Sequence, residues 1–124
     1  MKYVIGIDYG TLSGRTVLVD TETGKEVSEA TLSYAHGVMD EKLPCGKKLP
    51  ANYALQHPND YLEVLKQTVK EVLNKSKVSA NEVVGIGIVC RGGSDPKIQR
   101  ELLSLVSAAC GVGSNRIFIT EAQK

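Results

Sequence analysis

The sequence predicts an α/β domain in the order strand, strand, strand, helix, strand, helix, strand. Three observations carry that expectation. Short apolar runs bounded by turn residues recur at Tyr3–Ile7, Thr16–Asp20 and Val83–Val89. Two stretches of helical spacing each begin at a proline, Pro58 and Pro96, where the missing N–H would be unpaired in any case. The 124 residues suit one hydrophobic core and are read as a single domain, 1–124.

Each element has its own local warrant. The first strand, Tyr3-Val-Ile-Gly-Ile7, ends in the carboxylate of Asp8, and a tight Gly10-Thr11 turn leads to the second, Thr16-Val-Leu-Val-Asp20. Asp20-Thr-Glu-Thr-Gly24 is a polar hairpin turn, followed by a third strand over about Glu26–Tyr34. Between Ala35 and Pro50, Gly37, Pro44, Gly46 and Pro50 lie among charges and predict a long surface excursion without an element of its own. In the first helix Tyr61, Leu62, Leu65, Val69, Val72 and Leu73 recur at helical spacing, with Glu63, Lys66, Lys70 and Glu71 between them. Ser79-Ala-Asn-Glu82 has capping-box spacing and predicts one turn before the next strand. That strand, Val83–Val89, is almost wholly apolar, as expected at the covered centre of a sheet. Asp95 is placed to cap the second helix, whose apolar stripe is Ile98, Leu102, Leu105, Val106 and Ala109. Gly111 and Gly113 stop it, and Arg116-Ile-Phe-Ile-Thr120 is the last strand.

Composition excludes several classes of function. The net charge is +1 and the lysines are scattered, which leaves no footprint of a nucleic-acid binder. No apolar run approaches the ~18–20 residues that cross a bilayer, and the amino terminus lacks a signal-peptide pattern. The expected compartment is therefore the cytoplasm. Cys45, Cys90 and Cys110 are odd in number and widely spaced, and read as free thiols in a reducing compartment. Cys110 belongs to a core face; Cys90, at a strand end, is reactive only if its thiol is exposed and its pKa low.

The chemistry sits in Asp8-Tyr-Gly-Thr-Leu-Ser-Gly-Arg15. A turn of this kind exposes N–H groups and a hydroxyl to phosphate oxygens, while the carboxylate can hold Mg²⁺ through water. The same residues also fit an ordinary hairpin whose glycines supply positive φ. Arg15 can pair with an anion or serve as counter-ion to Asp8. His57 is read as a capping or packing residue at Pro58, and His36 as a solvated loop residue. No His and carboxylate pair shows metal-ligand spacing, so no zinc site is expected. The Gly92-Gly93 turn can offer N–H groups to an anion or simply turn the chain.

Asp-x-Gly-Thr between two strands resembles the first phosphate motif of the sugar kinase/Hsp70/actin superfamily. With Tyr34-Ala-His-Gly-Val-Met-Asp40, Ala54-Leu-Gln-His-Pro-Asn-Asp-Tyr-Leu-Glu-Val-Leu65 and Val83-Val-Gly-Ile-Gly-Ile88, it resembles the amino-terminal part of the L-ribulokinases of the FGGY family of carbohydrate kinases. The resemblance covers residues 1–88, in the family's order and near its spacing. It implies a ribonuclease-H-like core of the actin/hexokinase type, βββαβαβ, and the use of ATP and Mg²⁺ on L-ribulose. By the same resemblance Asp8 orients Mg²⁺ and the γ-phosphate, Gly10 and Thr11 contact phosphate, Ser13 and Arg15 complete the motif, and Gln56 and His57 border the sugar site.

The resemblance stops at residue 88. Where a ribulokinase continues Asp-Phe-Thr-Ala-Cys-Thr, this chain has Val89-Cys-Arg-Gly-Gly-Ser-Asp-Pro96, and residues 89–124 are either a native helix–strand tail or foreign sequence. Family members run to several hundred residues, with the catalytic base in a part this chain does not match. The expectation is a ribulokinase-like domain without turnover of its own; the alternative is a non-catalytic binding module or a chimera that keeps only the fold. Unpaired strand edges of an incomplete kinase domain invite a homo-oligomer.

Overall fold

A computed structural model describes residues 1–123. Its strands are β1 (Tyr3–Tyr9), β2 (Ser13–Asp20), β3 (Glu26–Ser33), β4 (Val38–Met39), β5 (Leu55–Gln56), β6 (Val83–Cys90) and β7 (Ile117–Glu121). Two helices, α1 (Pro58–Ser76) and α2 (Pro96–Cys110), lie between them. Five strands make one sheet in the order β3-β2-β1-β6-β7. The first three form an antiparallel meander, whereas β6 and β7 run parallel to β1, each after a helical crossover. This is the ribonuclease-H-like core, with the predicted element order.

Alternation along the strands decides what faces the helices. Ile5 lies beside Leu18 and Ile86, and Ile7 beside Thr16 and Ile88, so one face of the sheet is a continuous apolar layer. Leu65 and Val72 of α1 and Val106 of α2 close over it. Each such side chain, fully buried, stabilises the fold by roughly 1.5–3 kcal/mol. The opposite face is open around Gly6, Gly87 and Val17, and Phe118 there is 68% exposed. β6 is thus central in the sheet but covered by the helices on one face, not on both.

The local signals hold at most element ends. Pro58 and Pro96 open their helices, Asp95 accepts from the N–H of Lys97 and Ile98, and Ser79 and Glu82 form the reciprocal box. Gly111 ends α2 at φ 66° and Gly24 turns the hairpin at φ 69°, both left-handed. Two expectations need correction. The excursion after β3 carries a small antiparallel ladder, in which Val38 pairs with Gln56 and Met39 with Leu55, so it is not devoid of elements. The apolar stripe of α2 also divides. Leu103, Val106 and Cys110 pack on the core, while Ile98, Leu102 and Leu105 face a cleft, with Leu105 48% exposed.

Residues 89–121 are tied to the sheet by more than the pairing of β7 with β6. The Glu121 carboxylate accepts hydrogen bonds from the N–H groups of Gly92 (2.8 Å) and Ser94 (3.0 Å) and from the Ser94 hydroxyl (3.0 Å). Gln99 donates to the Gly93 carbonyl at 2.7 Å. Of the N–H groups that sequence offered to an external anion, that of Gly92 is therefore held by the chain's own carboxylate and that of Gly93 by the Cys90 carbonyl at 3.1 Å.

Candidate functional site: the turn after the first strand

β1 is where the sheet changes from antiparallel to parallel neighbours, and in open α/β sheets ligands bind outside the carboxyl ends of such strands. A cleft of about 870 Å³ opens there, lined by Asp8, Thr11, Gln56, Tyr61, Leu102 and Leu105 among others. Asp8 is exposed at its mouth, at the end of β1. The three residues Gly10, Thr11 and Leu12 connect β1 to β2, and the Gly10 N–H donates to the Ser13 carbonyl at 2.9 Å.

All three carbonyls of this connection are held from outside it. The Tyr34 hydroxyl donates to Gly10 O at 2.7 Å, the Gln56 amide to Thr11 O at 2.6 Å, and the Tyr34 N–H to Leu12 O at 3.0 Å. Among the described residues no backbone acceptor takes the N–H of Thr11 or Leu12. With its carbonyls fixed and those amides open, the turn offers hydrogen-bond donors beside a carboxylate, which suits phosphate and its divalent cation. Gly10 is not in a left-handed conformation here; a Cβ on it would lie 3.1 Å from Ser13 O, so it serves close backbone approach. The hairpin whose motif glycines supply positive φ is not what forms.

A tyrosine cluster supports the turn from beneath. Tyr61 meets Tyr9 edge-on at 5.2 Å and Tyr34 at 5.1 Å between centroids, and the Tyr9 hydroxyl donates to Tyr61 O at 3.1 Å. The Tyr61 hydroxyl donates to Gln56 Oε1, which aims the other end of that amide at Thr11. Burial pushes the phenols of Tyr9, Tyr34 and Tyr61 above their ordinary range, so they act as neutral donors.

The remaining residues singled out from sequence take distinct places. Arg15 does not pair with Asp8: it bonds Glu29 and, at 3.4 Å, Glu26, both on β3. Hydrogen bonding to Glu29 raises the Arg15 pKa further, and Arg15 in turn holds Glu29 below the usual carboxylate range. Ser13 contributes its backbone to the turn at the start of β2. His57 caps α1, its Nδ1 accepting from the Asn59 N–H at 3.2 Å.

The residues that sequence reasoning missed are Tyr34, His36, Asp60 and Tyr61. Asp60 is 4% exposed and accepts from the His36 ring at 2.7 Å and the His36 N–H at 3.0 Å. Burial works against its ionisation, but these two bonds outweigh it and hold the carboxyl below its ordinary range. His36, His57 and Asp60 bring three potential ligand atoms within 4.8 Å. The two rings lie 15° from parallel, so their in-plane lone pairs run side by side and do not converge on one ion. The available signal was the spacing of His57 and Asp60, cap and third residue of one helix. Cys90 is partly covered, and burial followed by Glu121 raises its thiol pKa, which makes it a poor nucleophile.

Comparison with known proteins identifies the family. Residues 3–97 match the amino-terminal domain of the FGGY family of carbohydrate kinases. The ribulokinase of Shouchella clausii is 56% identical over 88 residues, which cover 70% of this chain and 16% of that protein. A xylulose kinase from Brucella ovis superposes with a TM-score of 0.56 at 19% identity, over 72% of this chain and 16% of that one. A reductive activator for a corrinoid, iron–sulfur protein superposes with a TM-score of 0.59 at 12% identity, over 94% of this chain and 22% of that one, and so shows the same fold through the tail. The chain spans about a sixth of the length of its ribulokinase relatives. With residues 3–97 matched to the amino-terminal domain of that family, the chain belongs to the FGGY family of carbohydrate kinases.

Proposed function

We propose that this chain is the amino-terminal portion of an ATP-dependent L-ribulokinase and supplies the phosphate-binding turn of that enzyme in the cytoplasm. The observation that carries this reading is the Asp8–Ser13 turn beside the cleft, inside a segment 56% identical to a ribulokinase. Its Gly10, Thr11 and Leu12 carbonyls are tied down, while the Thr11 and Leu12 N–H groups have no backbone acceptor among the described residues. Asp8 holds Mg²⁺ through water, and Gly10 and Thr11 contact phosphate oxygens. Ser13 closes the turn, and Arg15 acts from the side through β3 and not as a direct ligand. Gln56 holds the turn at the border of the sugar site, and His57 fixes the helix beside it.

MgATP, when bound, supplies the transferable phosphoryl group and the divalent charge that offsets the charge developing on it. The chain's own part is positioning: a rigid turn holds donors where the phosphate must sit, at no reorganisation cost during reaction. Among the described residues none is assigned the role of accepting the proton of a sugar hydroxyl, and the portion present is proposed to bind without turning over. Two measurements on the pure chain test this. MgATP should shift the Gly10 and Thr11 amide resonances, an effect abolished by Asp8→Ala, and a coupled ADP-release assay with L-ribulose should show no turnover. Amides indifferent to MgATP would favour a non-catalytic module that keeps only the fold, and Asp8-dependent turnover would mean that a whole kinase site is present.

A further inference from the structure

Arg91 stands just beyond the end of β6, exposed, and lines the cleft together with Asp8. Their strands run parallel with Asp8 beside Val89, so both charges belong to the same end of the sheet. Among the described residues no carboxylate forms an ion pair with Arg91, Asp8 included. Glu121 is near enough to feel its charge, but the Glu121 oxygens are taken up by Gly92 and Ser94. The rest of the cleft is largely apolar, lined by Leu62 from α1 and by Ile98, Leu102 and Leu105 from α2. We infer that this cleft is a site for a small monocarboxylate with an apolar body, its head on Arg91 and its body between α1 and α2.

Size and chemistry both point to a small molecule. The cleft holds about 870 Å³, and small-molecule sites of roughly 300–1,000 Å³ are typically apolar with a few polar groups that fix orientation. Leu105 is 48% exposed there, apolar surface that a bound hydrocarbon would take from water. A guanidinium without a partner matches the two oxygens of a carboxylate or a phosphate. Asp8 decides between them. A single negative charge is offset by Arg91, whereas a doubly charged phosphate head without a metal ion would also meet the Asp8 carboxylate lining the same cleft. Arg91, Ile98, Leu102 and Leu105 all lie in residues 89–124, outside the run that resembles ribulokinases. The site is therefore this chain's own, and it does not rest on the role proposed for the turn with MgATP.

The test is a titration of the methyl-labelled native chain with linear carboxylates, in the absence of nucleotide and Mg²⁺. Octanoate should shift the Ile98, Leu102 and Leu105 methyl resonances and bind about tenfold more tightly than hexanoate, because two more methylenes are buried. Arg91→Gln, at an exposed position without an ion pair to lose, should weaken octanoate about tenfold or more and leave neutral octanol unchanged. Leu105→Gln should shrink the gain from hexanoate to octanoate, and Asp8→Asn should tighten octyl phosphate more than octanoate. Methyls indifferent to octanoate, an octanoate affinity unchanged in Arg91→Gln, or octyl phosphate held more tightly than octanoate by the native chain would overturn the inference. With no metal ion or nucleotide present, a failure here leaves MgATP binding at the turn to be judged by its own experiment.

Discussion

The hydroxyls of Thr16 and Thr68 meet at 2.6 Å in the interior, where both side chains are fully buried. Thr68 also reaches the Val64 carbonyl one turn back at 2.6 Å, so the pair joins the second strand to the first helix through buried hydroxyls. Valine is nearly isosteric with threonine, which isolates the hydrogen bond from packing. Thr68→Val leaves the Thr16 hydroxyl buried without its partner and should lower stability by about 1–3 kcal/mol. Replacing both threonines should cost less than the sum of the single changes. Denaturant unfolding of the four proteins checks this, and strict additivity would show that the pair is uncoupled.

A second prediction concerns the tail. A Cβ on Gly93 would run into the Thr120 carbonyl, which cannot move without parting the last strand from the turn after β6. Gly93→Ala should therefore destabilise by about 1–3 kcal/mol through overcrowding, with the amide exchange of 117–121 accelerated most. Wild-type exchange in Gly93→Ala would mean that residues 89–121 do not dock on β6 as described.

What was legible in the sequence was what is local. The prolines at 58 and 96, the cap at Asp95, the box at Ser79–Glu82 and the helix stop at Gly111 act within a few residues, and each stands where the pattern put it. The Asp8–Gly10–Thr11 turn was legible for the same reason. Contacts made by folding were not. Thr68 reads as a polar position on the helix, yet is buried because Thr16 answers it. His36 reads as a solvated loop residue until a chain reversal 21 residues later brings His57 over it. The stripe of α2 was seen, but its division between core and cleft depends on how the helix is rolled on the sheet, which hydrophobic periodicity alone does not specify.

Acid should weaken the fold through two carboxylates. Asp60 is held low by His36 against the effect of burial, and Glu121 by the N–H groups of Gly92 and Ser94. A carboxyl whose pKa is depressed in the folded state adds stability above its unfolded value, near 4, and loses it as the pH falls through the folded value. The melting temperature should therefore drop below about pH 4. Asp60→Asn and Glu121→Gln should each start less stable at neutral pH and show a shallower drop. Melting profiles parallel to the native one would remove these residues from the account.

Arg15 and Asp8 stand opposite one another in register across the hairpin, yet the structure gives them different tasks. The Arg15 guanidinium is occupied by Glu29 and Glu26 on the solvent side of β3, and exposed pairs of this kind add little to stability and are screened by salt. Arg15→Ala should change the melting temperature only slightly, and less at high salt. If the turn binds MgATP as proposed, Arg15→Ala should weaken that binding far less than Asp8→Ala, because the arginine's donors are already engaged while the Asp8 carboxylate is exposed at the end of β1. Equal losses in the two variants would instead place Arg15 on the phosphate, and would require its glutamate partners to release it when the nucleotide arrives.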